Sequence, residues 1–219
     1  GQCVQACPVG ALMEKPVYGG RIKKKDVERK VVTTCPYCGV GCQLELWVRD
    51  GRIAKVKGFD AVPNYGAACV KGRFGLDFVQ RPDRLTRPLV RRNGKLVEST
   101  WDEALDLVAE KLGAIKKQHG PSALAGLSSA KCTNEENFVF QKFVRTAFGS
   151  NNVDHCARLC HASTVAGLAR SFGSGAMTNS IEELERAELI LVTGSNTTET
   201  HPVIATRIKK AVLFHGAKL

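Results

Sequence analysis

Apolar and polar residues alternate over Leu44-Glu45-Leu46-Trp47-Val48 and again over Ile53-Ala54-Lys55-Val56. A period of two marks strands with one buried face, and the intervening Asp50-Gly51 is a hairpin turn signal. The pair predicts a short antiparallel sheet. From Thr100 the period lengthens. Leu105, Val108, Leu112 and Ile115 line one face of a helix that opens on a Thr100-to-Glu103 capping box and stops at Gly120-Pro121. Ala123 to Leu127 reads as a buried strand, and Asn134 as the cap of a second helix bearing Phe138, Val139, Phe143 and Val144. Ser180 to Glu183 is another capping box. Leu189-Ile190-Leu191-Val192-Thr193 has the continuous apolar character of a buried parallel strand, ending at Gly194 before a helix from about His201 to Phe214. The pattern predicts an α/β chain: a small β-rich domain, then the start of a doubly wound α/β domain.

Composition adds little to fold class but narrows function. The chain has 219 residues, 43% hydrophobic and 24% charged, ordinary values for a globular protein. No apolar run approaches the ~20 residues a membrane helix needs. The net charge is +11 with thiols counted neutral. A solvated basic surface and a nucleic-acid partner are two readings of that excess. A third is favoured, that cations balance buried anions such as thiolate clusters and phosphorylated cofactors. The dense run Arg21-Ile22-Lys23-Lys24-Lys25 falls in a linker at 21–31. Nine cysteines, an odd number with tight spacing, argue for reduced, metal-holding thiols in the cytoplasm rather than a disulfide framework. The first residue is Gly1 and the last four resemble the entry to a further strand, so the expectation is an internal fragment of a larger protein.

The chemistry sits in the cysteines. Cys35, Cys38, Cys42 and Cys69 are spaced C-x2-C-x3-C-x26-C, and the predicted hairpin carries the chain from the third back to the fourth. Four thiolates so arranged suit the corners of a [4Fe-4S] cubane, and Gly39 and Gly41 let the backbone approach it. Structural zinc is the rival, though zinc ribbons pair two separate C-x2-C knuckles. Lys71, two residues past Cys69, is a cation placed for a buried bridging role. Cys3 and Cys7 match the end of a ferredoxin run, C-x3-C-P, and can serve ferredoxin-type [4Fe-4S] clusters. Far downstream stand Cys160 and His161. A helix starting just after Cys160 favours a thiolate able to ligate a soft metal, and His161 can move a proton near neutral pH. Cys156 and Cys132 read as small buried side chains. Gly194 to Thr200 joins a strand to a helix, where α/β proteins bind nucleotides, but a single Gly makes no dinucleotide fingerprint.

On these residues the chain resembles the catalytic alpha subunit of molybdenum or tungsten formate dehydrogenases, cysteine form, within the bis-molybdopterin guanine dinucleotide oxidoreductases. Val70-Lys71-Gly72, Asp83-Arg84-Leu85, Asn134-Glu135-Glu136-Asn137 and Asn152 to Gly167 add to the match. The resemblance implies a domain order. Residues 1–20 end a ferredoxin-like domain, 32–88 form the 4Fe-4S domain, and 89–219 begin the molybdopterin-binding domain. It also implies roles: Cys160 as ligand to Mo or W, His161 beside it handling the proton or hydride of formate, and Lys71 bridging cluster and pterin. Gly194, Asn196, Glu199 and Thr200 contact one guanine dinucleotide. Formate oxidation to carbon dioxide, with electrons passed to iron–sulfur, flavin, NAD or ferredoxin partners, is the implied activity. No nucleic acid and no membrane span in this stretch are implied. Three rival readings stand beside it: a nitrate reductase of the same superfamily, a non-catalytic iron–sulfur subunit of a respiratory complex, and a zinc-binding nucleic-acid module. His161, where nitrate reductases are expected to carry Met, favours formate.

Overall fold

The computed structural model describes residues 2–9, 11–12 and 22–219. Gly10 of the ferredoxin-like run and Arg21 of the basic run lie outside the described residues. The chain divides into two units, one made of Gly1–Arg84 with Asn179–Leu219 and the other of Leu85–Thr178.

The first unit opens with a short helix, α1 (Gln2–Ala6), followed by β1 (Arg29–Thr34), β2 (Gln43–Arg49) and β3 (Arg52–Gly58). The strands form an antiparallel sheet in that order. β2 and β3 are the expected hairpin. Its turn residues Asp50 and Gly51 sit at φ 52° and 69°, the left-handed pair a two-residue turn requires. β1 is an addition, starting at Arg29 inside the run read as a linker. Its Arg-Lys-Val-Val-Thr-Thr sequence is almost wholly exposed, so backbone pairing with β2, not burial, holds it. Leu44 and Val56 fill one face of the sheet and pack with Ala68, Leu76, Cys35 and Tyr37. Asn64, fully buried, pins the loop after β3. Its Oδ1 accepts the Gln43 N–H at 2.7 Å, and its Nδ2 donates to the carbonyls of Gln43 (3.0 Å) and Ala67 (2.7 Å). A Cβ at Gly58 would lie 2.1 Å from the Gly66 carbonyl oxygen, so this crossing admits only glycine. α2 (Val70–Phe74) then starts with Cys69 as its N-cap.

The second unit begins with a hairpin, β4 (Leu89–Arg92) and β5 (Lys95–Glu98), and the helix α3 (Trp101–His119). Only half of the expected capping box forms. Thr100 Oγ1 accepts the Glu103 N–H at 3.2 Å, while the Glu103 carboxylate is taken by Ser99 and Arg92. β6 (Gly126–Ser128), α4 (Asn134–Phe143) and β7 (Val153–His155) make a β–α–β crossover with the two strands parallel. Such crossovers are what doubly wound sheets are built from. The strand falls later than Ala123–Leu127, because Pro121–Ala123 take a 3-10 turn. Leu127 is 81% exposed, and only Leu124 of that run joins the core, with Val144, Phe148 and Leu112. The cap of α4 is Thr133, one residue before Asn134. Thr133 and Glu136 exchange reciprocal bonds of 2.7 and 3.2 Å, a complete capping box. Two further helices follow, α5 (Ala157–Cys160) and α6 (Ala162–Phe172).

The chain rejoins the first unit at Asn179. There the Glu183 carboxylate accepts the Ser180 N–H at 2.5 Å, but it caps a 3-10 turn, Glu182–Arg186, and not an α-helix. α7 (Thr197–Thr200) and α8 (Pro202–His215) end the chain's helices, and Gly216 closes α8 in the left-handed conformation. The run Leu189–Thr193 corrects the expectation of a buried strand. A single parallel bridge joins Leu189 to Lys218, and Leu189 and Leu191 are 72% and 87% exposed. Among the described residues the run is paired at that one rung, and Ile190 is the member that is buried, packed with Ile208, Ala211 and Ala217. Among the described residues no helix is long and apolar enough to cross a membrane.

Replacing Asn64 with Ala should destabilise the first unit by about 2–4 kcal/mol, since the Gln43 N–H loses its side-chain acceptor and the carbonyls of Gln43, Phe59 and Ala67 each lose a donor. Urea denaturation followed by Trp47 fluorescence checks this. Asn64→Asp, whose second oxygen would face the Gln43 and Ala67 carbonyl oxygens in this buried site, should destabilise at least as much as Ala.

Candidate metal centre

In the first unit Cys35, Cys38, Cys42 and Cys69 line one hollow of about 50 Å³. The loop is drawn shut by the Cys35 N–H, which donates to the Cys42 carbonyl at 2.8 Å. Gly41 at φ 70° makes the turn back into β2. The sheet delivers Cys42 at the start of β2, and the Asn64 knot brings the chain round to Cys69. Val40, Leu44, Ala68, Pro202 and Val203 complete the wall, so the thiols face a largely apolar space. Gly72 stands against it. A Cβ there would be 3.3 Å from Cys35 Sγ, a tight contact that the sulfur would have to ease by a few tenths of an ångström.

The electrostatics of the hollow are those of crowded acids. Burial pushes the Cys42 thiol up to about 12, with Cys35, Cys38 and Cys69 adding repulsion. Tyr37 is raised by burial first, then by Asp77, Cys35 and Cys69, and its hydroxyl donates to the Gly75 carbonyl. Four thiolates around one small apolar space demand a cationic occupant. Among the described residues, no three His, Cys, Asp or Glu side chains gather tightly enough to grip a single ion. Four cysteines around one hollow supply the one thiolate that a cubane needs for each corner iron. The four cysteines therefore fit a [4Fe-4S] cluster.

Lys71 also lines the hollow, yet its side chain is exposed, contrary to the expected burial. The buried cation is Arg73, only 3% exposed, whose Nη2 donates to Gln2 Oε1 at 2.8 Å. Sequence reading missed it. Lys71 and Arg73 are both basic residues after Cys69, and only the phase of α2 separates the outward one from the inward one. The Ala68 N–H (3.4 Å) also reaches Gln2 Oε1, and Gln5 donates to the Gly66 carbonyl at 3.2 Å. These bonds fasten α1, which carries Cys3, to the segment carrying Cys69. Cys7 lies just beyond the helix, with its N–H bonded to the Cys3 carbonyl at 3.1 Å.

In the second unit Cys160 is the last residue of α5, and His161 forms the bend before α6. Both side chains are exposed. Cys156 and Cys132 are exposed as well, not buried as expected. Cys156 Sγ is held at the surface by the Ala130 N–H, 3.2 Å away. His155 Nδ1 accepts the Ala157 N–H at 3.1 Å, which leaves its neutral-form proton on Nε2. Arg158, 2.8 Å from Asp154, holds that carboxyl below the usual range, helped by the His155 N–H.

The loop Gly194, Asn196, Glu199 and Thr200 belongs to the first unit and is exposed. Gly194 takes φ 63°. The Asn196 carbonyl collects the N–H of Glu199 (3.1 Å), the N–H of Thr200 (3.0 Å) and the Thr200 hydroxyl (2.9 Å). Thr200 also lines the cysteine hollow, a juxtaposition with no signature in the sequence.

A family model for the molybdopterin oxidoreductase Fe4S4 domain matches residues 28–81, and one for molybdopterin oxidoreductase matches residues 84–219. The chain belongs to the molybdopterin oxidoreductase family. Among curated relatives, the F420-dependent formate dehydrogenase 1 subunit alpha of Methanococcus maripaludis is 53% identical over 82% of this chain and 26% of its own length. The F420-dependent formate dehydrogenase 2 subunit alpha of the same organism is 53% identical over 84% of this chain and 27% of its own length. The chain thus spans about a quarter of these relatives. Acetylene hydratase from Pelobacter acetylenicus superposes with a TM-score of 0.63 at 21% identity, over 84% of this chain and 26% of that one, and so shares the fold.

Two outcomes follow from the hollow. Gly72→Ala should lower iron and acid-labile sulfide per polypeptide, read by colorimetric assay, because the added methyl crowds Cys35 Sγ. In the cluster-free polypeptide, folding favours the neutral Cys42 thiol, whose ordinary value of 9.0 is raised to about 12. The unfolded state therefore loses its proton first, and stability present below pH 9 should fall as pH rises from 9 towards 12. Urea midpoints across that range, compared with Cys42→Ala, test the sign.

Proposed function

We propose that this chain is part of a formate dehydrogenase catalytic subunit, in which formate is oxidised to carbon dioxide, or the reverse. The observation that carries the proposal is the Cys160–His161 pair, a thiol and an imidazole side by side and exposed at the α5–α6 bend. The formate dehydrogenase names of relatives at 53% identity support it.

Cys35, Cys38, Cys42 and Cys69 hold a [4Fe-4S] cluster, and Cys3 and Cys7 contribute to ferredoxin-type clusters. Cys160 ligates molybdenum or tungsten, whose bis-molybdopterin guanine dinucleotide is contacted by Gly194, Asn196, Glu199 and Thr200. When bound, these groups supply acceptance of an electron pair and its onward passage one electron at a time. The protein's own side chains do the rest. His161 has a ring nitrogen to take or return the proton of formate. Lys71, at the rim of the hollow, offers positive charge between cluster and pterin. Val40, Leu44, Ala68 and Val203 keep water from the cluster sulfurs. Electrons leave to iron–sulfur, flavin or ferredoxin partners. A cytoplasmic location suits a thiol-rich site of this kind.

In the full-length enzyme, Cys160→Ala should abolish formate-dependent viologen reduction while leaving the iron–sulfur absorption close to wild type. Reduction of nitrate by the wild type with reduced viologen, and no oxidation of formate, would assign the chain to nitrate chemistry instead.

A further inference from the structure

The segment that rejoins the first unit at Asn179 lies against the cysteine loop through apolar side chains. Val203 is buried with Val40 and Cys42, and Ile181 and Ile204 pack against the same group. Pro202 and Val203 also wall the cysteine hollow. An apolar seam of this kind excludes water, but it is non-directional and does not by itself fix one side chain over another. Polar contacts beside it do. Val203 and Arg207 are four residues apart on α8 and so share one face of the helix. Val203 meets the cysteine loop, and Arg207 meets Tyr65, its guanidinium carbon 5.0 Å from the ring centroid. The Tyr65 hydroxyl donates to Glu182 Oε2 at 2.7 Å, and Glu182 directly follows Ile181. Beside each of these apolar contacts there is thus a polar grip on Tyr65.

The grip is held firm on both sides. Arg207 is bonded to the Glu185 carboxylate, whose other oxygen takes Lys210 Nζ at 2.6 Å, and the Arg207 and Glu185 side chains are well buried. Tyr65 is anchored by its N–H, which donates to the Ala61 carbonyl at 2.8 Å. It stands next to Asn64 and four residues before Cys69. Its backbone is at φ 45°, a left-handed conformation that Gly or Asn takes with less strain. A tyrosine here strains the backbone, and its ring and hydroxyl are what reach the returning segment.

We infer that Tyr65 is a positioning residue, a latch that holds Pro202 and Val203 over the cluster and so limits the water reaching its sulfur ligands. The inference rests on the cluster assignment and not on the identity of the substrate. A [4Fe-4S] centre with four thiolates is an anion that gains a further negative charge on reduction, and water stabilises the more charged form. Loosening the cover therefore raises the reduction potential and admits solutes.

The test uses the full-length holoenzyme under anaerobic conditions. The EPR signal that Cys42→Ser alters identifies the cluster of the hollow. Its midpoint potential is measured by redox titration, and the decay of its signal is followed in the presence of a ferrous chelator. Tyr65→Phe removes the hydroxyl bond and keeps the ring beside Arg207. Tyr65→Asn removes both and suits the left-handed backbone, so folding is spared. Glu182→Gln keeps an acceptor for the hydroxyl. Lys210→Gln removes one ion pair of Glu185 and leaves the Tyr65 contacts in place, a control for general weakening. Expected is a signal decay faster by about fivefold in Tyr65→Phe and more in Tyr65→Asn, with the potential moved upward in the same order. Glu182→Gln and Lys210→Gln should stay near wild type. Wild-type decay and potential in Tyr65→Asn overturn the inference, as does an equal acceleration in Lys210→Gln. A wild type holding no iron or acid-labile sulfide would instead overturn the cluster assignment, and the latch with it.

Discussion

Four acidic sulfur groups must share a space of about 50 Å³, and the first unit is organised around that demand. Burial first, and then their mutual repulsion, raises Cys42 to about 12, so the polypeptide alone gains nothing from gathering them as anions. The gathering is imposed by neutral means. The β2–β3 hairpin turns on Asp50-Gly51, Asn64 binds four backbone groups, and Gly58 and Gly72 permit two close approaches. The site is built against its own electrostatics, and the balancing charge comes from what it holds.

Much of this was legible in the residue pattern. Spacing named the four cysteines, alternation named the hairpin, and the longer period named α3 and α8. The features that were not legible share a cause: each depends on a partner distant in sequence. β1 has no alternation because its neighbour, not its own burial, makes it a strand. Leu189–Thr193 has the composition of a central strand but a single bridged residue. Cys156 was read as buried from its residue type, yet the Ala130 N–H holds its sulfur at the surface.

At the candidate site the same division holds. Cys160 and His161 were found as neighbours in sequence and stand together as neighbours at a bend. Lys71 and Arg73 could not be ranked from sequence, because their difference is an angle around α2. Nor does any local signal announce that Thr200, Pro202 and Val203 wall a hollow defined by residues near position 40. The Gly194–Thr200 loop and the cysteine cage are separate motifs in sequence and neighbours in one unit.

That wall has a consequence for how the protein is made. Between Cys69 and Thr200 lie 130 residues, and the second unit is spelled out wholly within that interval. A nascent chain leaving the ribosome thus presents all four cysteines long before α7 and α8 exist to roof them.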